Sequence, residues 1–309
     1  MYVSIINNNQ NNNPSSTATA WTQWDLLKRW NTNESYNTGD PVIASNGFLY
    51  TSLIDSNLGD NPILNSGDWT LPEADRRSIN YLINPNFAIN QESFGGGQPA
   101  AGVYGFDMWK GDAGGTQIEQ VVENAITINE SFVISWVGGT GTATVDGAAG
   151  LASGDTFTLS TSANFSVIVP TDATFIQLES GVSATGFEYR SIGDELALCQ
   201  RYYYPIVNGV SLVSIGAGQS VTTTQAVIAV GMKVTMRAAP TLSVSNVAHF
   251  AAAAAGGADL TATAVAISGT ATENSVRLSF TVASGLVAGN ASTARSISAS
   301  AVLALISRL

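Results

Sequence analysis

The chain has 309 residues, of which only 11% are charged, and it carries a net charge of −11. Ordinary soluble domains hold about 25% charged residues, so much of this surface must be covered by Ser, Thr and Asn or hidden in an assembly. The acidic balance excludes a nucleic-acid surface, which needs a basic stripe to meet phosphates.

The charge is unevenly placed. Residues 1–204 hold 21 acidic and 7 basic side chains, whereas 205–309 hold Asp259 and Glu273 against Lys233, Arg237, Arg277, Arg295 and Arg308. This marks a composition boundary near 205. The start of the chain lacks a basic segment followed by a long apolar core, which predicts no signal peptide. No apolar run reaches the ~18 residues that would predict a membrane-spanning helix. Cys199 is the single cysteine, so no intrachain disulfide is possible, and its apolar surroundings predict a small buried hydrophobe.

Residues 1–20 contain an Asn-rich run and read as an arm that orders on a partner. The spacing of Trp24, Leu27 and Trp30 predicts a short helix over 21–30. Asn46-Gly47 between two apolar groups predicts a tight hairpin. Lys28-Arg29 and Arg76-Arg77 are too short for a phosphate-binding patch and read as solvated helix faces.

The segment 21–72 carries Tyr36, then Gly39-Asp40-Pro41-Val42, then Gly47 to Tyr50, then Pro62 and a closing Trp69. It resembles the small chitin-binding modules appended to bacterial chitinases, which implies a three-stranded aromatic domain. The candidate carbohydrate-binding residues under that resemblance are Trp30, Tyr36, Tyr50 and Trp69, because sugars lay their apolar C–H faces on flat aromatic rings. A domain of about 50 residues also needs its few aromatics as a core. Residues 73–80 read as a helical linker, with acids at its start and bases at its end.

Beyond the linker, 82–91 reads as an opening strand and Gly95-Gly96-Gly97 as a turn. Alternation then predicts strands at Phe132/Ile134/Trp136 and at Phe165/Val167/Val169. In the next strand Thr174, Ile176 and Leu178 are expected on one face, with Phe175, Gln177 and Glu179 on the other. Short alternating strands at this spacing predict an antiparallel sandwich. Five motifs stand in order over 81–204: Ile83-Asn84-Pro85-Asn86-Phe87; Tyr104 to Trp109; Phe175-Ile176-Gln177-Leu178-Glu179; Ala184-Thr185-Gly186-Phe187-Glu188; and Glu195 to Tyr203. The set resembles a jelly-roll domain recurrent in tail-fibre proteins of tailed bacteriophages and prophages.

Residues 205–309 predict a third, charge-poor β domain. Ile228, Val230, Met232, Val234 and Met236 alternate with polar residues, as do Val276, Leu278, Phe280 and Val282. Leu303 and Leu305 belong to a last strand with two nearly apolar faces. A monomeric edge strand is normally protected by charge, so its scarcity here predicts faces or edges buried between subunits. The alanine run 251–255 reads as a loop or a short helical turn, with strand pairing not expected. Tyr202, Tyr203 and Tyr204 are expected at a domain or subunit junction.

No chemistry stands out. His249 is the only histidine and reads as structural, so neither a zinc cluster nor a Ser-His-Asp triad is indicated. The glycine-rich turns lack the Lys-Ser/Thr of a phosphate loop. Asp107, Glu119, Glu123, Glu179 and Glu188 are candidates for a glycosidase pair, but nothing singles two of them out. Asp55, Asp60 and Asn61 suggest calcium only loosely. The expected architecture is an all-β modular chain in a trimeric fibre, without cofactor, catalytic group or metal. The resemblances imply a virion protein that docks on other virion proteins through its arm and meets a host-surface glycan at its far end. Two alternatives stand beside it: a head fibre or decoration protein with a purely structural role, and a polysaccharide depolymerase.

Overall fold

The computed structural model describes residues 2–4, 21–23, 28–45, 49–62, 68–70, 79–123, 128–254 and 256–309. The expected Asn-rich arm beyond residue 4, the turn at Asn46-Gly47, Arg76-Arg77 and the linker up to 78 lie outside the described residues. The chain divides into two compact units, Met1–Arg77 and Ser78–Leu309.

In the first unit, β1 (Tyr2–Ser4) pairs with β2 (Trp21–Gln23). The strands β3 (Lys28–Arg29), β5 (Pro41–Ile43), β6 (Leu49–Ser52) and β8 (Trp69–Thr70) form a four-stranded sheet, and β4 (Ser35–Tyr36) pairs with β7 (Asn57–Leu58). The two apolar groups that flank Asn46-Gly47 pair antiparallel as expected, with Val42 opposite Tyr50. Two expectations are corrected. The module has more than three strands, and the described parts of 21–30 are strands rather than a helix. Ladder bonds formed with distant segments outweigh the local helical spacing of three apolar residues.

The second unit begins with eight strands in two sheets. They are β9 (Lys110–Gly111), β10 (Gln117–Val122), β11 (Ile128–Gly138), β12 (Ala143–Val145), β13 (Ala148–Leu151), β14 (Thr156–Thr161), β15 (Phe165–Pro170) and β16 (Ala173–Ser180). One sheet runs β13-β12-β15-β10-β9 and the other β14-β11-β16. Both sheets feed one core. Ile118, Val145, Val167 and Val169 come from the first, and Phe132, Ile134, Leu159, Ile176 and Leu178 from the second.

The facing of β16 differs from simple alternation. Phe175 has φ of +50°, and the pairing with β11 shifts between Ser135 and Val137. This bulge adds one residue, so Ala173 rather than Thr174 joins Ile176 and Leu178 in the core. The segment 82–91 is not a strand. Several of its backbone groups bond to side chains instead of a ladder: Ile83 N donates to Gln120 Oε1 at 2.8 Å, and Ile83 O accepts from Gln120 Nε2 at 2.7 Å.

A helix that alternation does not reveal follows, α1 (Ile192–Gln200). Ser191 caps it by accepting from Asp194 N, and Asp194 and Glu195 sit in its first turn. The remaining strands are β17 (Tyr203–Asn208), β18 (Ser214–Ser220), β19 (Gln225–Gly231), β20 (Thr241–Val244), β21 (Phe250–Ala254), β22 (Leu260–Ile267), β23 (Ser275–Val282), β24 (Ala291–Ser296) and β25 (Val302–Ile306). Six of them close a barrel in the order β18-β19-β23-β22-β21-β24. β25 lies between β17 and β20 in a three-stranded sheet that shares the barrel core.

A further expectation falls here. The alanine run is β21, paired with β22 and β24 and buried at Ala251 and Ala252. Packing inside a barrel overrides the weak strand preference of alanine. The barrel is closed, so its ladders leave no edge for charge to protect, and the scarcity of charge bears on its outer face instead of on strand edges. Strand contact is close enough that a Cβ on Gly218 would stand 1.9 Å from Val227 O.

The three tyrosines face different surroundings. Tyr202 packs with Ile89, Met108 and Cys199, whereas Tyr204 belongs to the barrel core. Between them, the Tyr203 and Tyr104 rings flank the Arg308 guanidinium at 4.6 and 4.0 Å from the ring centroids. Burial pushes the Tyr202 hydroxyl up to about 12, and its bond to Glu123 adds to the shift. Burial likewise raises Tyr203 to about 12, helped by the Glu92 charge. Both phenols hold their protons more tightly folded than unfolded. Their contribution to stability is therefore complete below the ordinary value near 10 and is lost as pH rises through about 12. The denaturant midpoint should fall steeply between those values, and a Tyr202→Phe, Tyr203→Phe double variant should flatten the fall.

Candidate functional site

The four aromatics of the first unit divide into two pairs. Tyr36 and Trp69 are each 3% exposed, with ring centroids 5.3 Å apart at 67°. Trp69 Nε1 donates to Asp60 O at 3.0 Å, and Tyr36 Oη accepts from Asn31 N at 2.8 Å. Together with Val42 they make the core of the unit, so neither offers a free face. Trp30 and Tyr50 are half-buried against that core. The Trp30 indole N–H is enclosed without an acceptor among the described residues.

In the second unit each candidate carboxylate has its own structural partners. Asp107 is buried and accepts from Gln91 N and Gln91 Nε2, both at 2.6 Å. Glu119 accepts from Ser166 Oγ at 2.6 Å and lies 3.9 Å from Lys110 Nζ. Glu123 binds Arg201 at 3.0 Å and the Tyr202 hydroxyl at 2.9 Å. Burial alone would raise the Glu123 carboxyl, but these bonds outweigh it and hold it below its ordinary value. Glu179 accepts from Thr185 N at 2.8 Å and from Thr185 Oγ1 at 2.6 Å. Glu188 accepts from Asn80 N at 2.7 Å and pairs with Arg190 at 3.1 Å. Among the described residues each of the five is thus engaged by its own structural partners.

The same bonds join the sequence motifs into one network. Gln177, on β16, accepts from Glu188 N at 2.7 Å and donates to Glu179. Arg190 Nη1 donates to Leu82 O at 2.9 Å and binds Glu195, on α1, at 3.2 Å; Nη2 reaches Asn80 O. Glu195 accepts from Asn84 N, and Asn84 Nδ2 donates to Ile89 O at 2.8 Å and Asp107 O at 3.1 Å.

The other candidates have equally ordinary settings. Cys199 is buried, which pushes its thiol far above the ordinary value. His249 Nδ1 is 3.2 Å from Ser300 O. Asp55 accepts from Thr38 N at 2.9 Å, which holds its carboxyl below the ordinary value. No group of three or more His, Cys, Asp or Glu among the described residues could hold a metal ion. No helix among them is long and apolar enough to cross a membrane.

One surface escaped the sequence reading. Phe175, Phe187 and Tyr189 form a mutual edge-to-face cluster with centroids 5.0–6.3 Å apart. Phe175 is 37% and Tyr189 76% exposed. Beside the cluster lies a groove of about 80 Å³, lined by Asn86, Phe187, Glu188, Arg190, Ile192 and Glu195 among others. The available signal was the pair of rings two residues apart at 187 and 189, which puts both on one side of an extended chain.

No protein-family model, curated protein or solved structure matches the chain.

Removal of Arg190 tests the network directly. Arg190→Ala leaves the buried Glu195 without its cation and two carbonyls without their donor. It should cost about 3–5 kcal/mol, the range for breaking a buried ion pair. Arg190→Lys should recover only part, because an ammonium cannot reproduce the guanidinium fork. Denaturant midpoints of the two variants measure both effects.

Proposed function

We propose that this chain is a non-catalytic subunit of a virion fibre, a tail fibre or spike, that attaches the particle to host-surface glycans. The observation that carries the proposal is the first unit, where Trp30 and Tyr50 are only partly buried against a core already filled by Tyr36 and Trp69. Two rings left at a surface suit the apolar faces of sugars. The jelly-roll assignment of the middle region is supported by nested antiparallel pairing: β10 with β15, β11 with β14, and β12 with β13. Such nesting is what a long hairpin produces when it rolls into two sheets. The structural bonds held by all five candidate carboxylates support a binding role over a depolymerase.

The fibre would be a trimer, docked on other virion proteins through its N-terminal arm. The barrel's exposed positions support an assembling surface: Ala217, Ala229, Thr263, Ala264 and Ala266 are small and uncharged. Weak single sites would then gain avidity from repetition. A structural role as a head fibre or decoration protein is the second possibility. It is favoured by the burial of Tyr36 and Trp69 and by the enclosed indole N–H of Trp30, which make the module resemble a spacer.

A glycan array of bacterial surface polysaccharides separates the two. The attachment role expects binding by the full chain that weakens at least about tenfold in Trp30→Ala or Tyr50→Ala, as loss of a ring that anchors a ligand should. Silence of the array favours the spacer. Sedimentation at micromolar concentration should give the mass of a trimer, and a stable monomer would sink that part of the proposal.

A further inference from the structure

The geometry points to a saccharide-binding site on the second unit, with Tyr189 as the stacking platform and the groove beside Phe187 as the polar subsite. This rests on the attachment role only in taking a sugar as ligand; the surface is separate from the aromatic module. Three observations converge. First, Tyr189 is 76% exposed, yet its ring is steadied edge-to-face by Phe187 at 5.0 Å and Phe175 at 6.3 Å. A large exposed ring held by two others presents a fixed face to the apolar C–H bonds of a sugar and loses little side-chain freedom on binding.

Second, the groove supplies hydrogen-bonding groups with unused capacity. Glu188 Oε2 is engaged by Asn80 N and Arg190, which leaves Oε1 for a hydroxyl donor. Asn86 uses Oδ1 to accept from Ala88 N, which leaves its Nδ2 donors. Arg190 and Glu195 behind them fix the carboxylate of Glu188 in place. A groove of about 80 Å³ has room for the hydroxyl edge of a sugar whose face lies on Tyr189.

Third, the aromatic platform is backed by backbone strain. Phe175 has φ of +50° within the β16 bulge, and bulky side chains seldom adopt this region. The bulge is what turns the Phe175 ring outward against Phe187 and Tyr189 while Ala173 and Ile176 stay in the core. Strain of this kind concentrates at binding sites. The patch consists of three rings and Ile192, well short of the ~800 Å² per partner of a stable protein interface.

The test uses the full chain on the same polysaccharide array, with Tyr189→Ala, Tyr189→Phe and the module variant Tyr50→Ala compared side by side. Tyr189 is exposed, so its replacement should leave the thermal midpoint unchanged. Tyr189→Ala should weaken binding at least about tenfold, whereas Tyr189→Phe, which keeps the ring, should retain most of it. Binding unaffected by Tyr189→Ala but lost in Tyr50→Ala overturns this inference and leaves attachment through the module standing. Loss in Tyr189→Ala alone supports the site and makes the module a spacer. A drop in sedimented mass on Tyr189→Ala would assign the patch to contact between copies and overturn the inference. Silence of the unaltered chain overturns it together with glycan attachment.

Discussion

The Arg190 guanidinium is the fixed point of the second unit. Its two ends reach the carbonyls of Asn80 and Leu82 on one chain segment and the carboxylates of Glu188 and Glu195 on two others. The segment 79–91 has no ladder of its own, so its buried amides and carbonyls must find partners elsewhere. Some find backbone, as Tyr81 N donates to Leu178 O and Pro85 O accepts from Ile176 N, and others find side chains: Glu188 for Asn80 N, Gln120 for Ile83 and Glu195 for Asn84 N. Each of those side chains is placed by another bond in the same set. A network of this kind is valuable only when complete, because every orphaned buried group carries a desolvation cost.

A second device ties the end of the chain back to this region. Arg308 lies between the Tyr104 and Tyr203 rings, and Tyr104 Oη donates to Leu309 O at 2.9 Å. Ser307 N donates to Tyr202 O, and Arg237 Nε donates to Ser307 O at 2.7 Å. The tail after β25 therefore closes the barrel region onto the layer formed by Ile89, Met108, Cys199 and Tyr202. Tyrosines suit this place because Tyr202 and Tyr204 bury their rings while their hydroxyls bond Glu123 and the Lys233 amide. Charge is scarce on the barrel yet gathers at this junction, where Arg201 pairs with Glu123 and Arg308 with Glu92.

Legibility followed the source of each constraint. Where a strand has one wet and one dry face, alternation shows it, as at Val276, Leu278, Phe280 and Val282, all buried. Leu303 and Leu305 likewise lie on a central strand whose intervening Ala304 is also buried. Failures came where a distant partner decided the conformation. Asn84 and Phe87 take left-handed backbone values because side chains from β10 and α1 hold that segment, and its apolar spelling alone resembles a strand. The bulge at Phe175 shifted one residue of facing, which no propensity announces. The alanines of β21 gain strand pairing from barrel closure, not from their own preference. Helix α1 was readable in principle from Ser191 and Asp194, a serine with an acid three residues on, but the apolar run behind them masked it. Among candidate site residues, Tyr36 and Trp69 could be named from spacing, while their roles depended on burial that spacing does not give.

The two units differ in what they can leave exposed. A small module has little aliphatic material, so Tyr36 and Trp69 are consumed in closing its core around Val42. The larger unit has Phe132, Ile134, Leu159, Phe165, Val167, Val169, Ile176 and Leu178 to fill one core, with a second core in the barrel. It can therefore set Phe175 and Tyr189 at the surface without loss of closure. Free aromatic surface also carries a cost, since exposed rings invite nonspecific association. Here the rings contact one another, stand beside a carboxylate held by an arginine, and rest on a strained bulge. Together they make a rigid, half-polar face at a place where this unit sets large rings against a bonded carboxylate, which is the physical requirement for stacking a ligand that also carries hydroxyls.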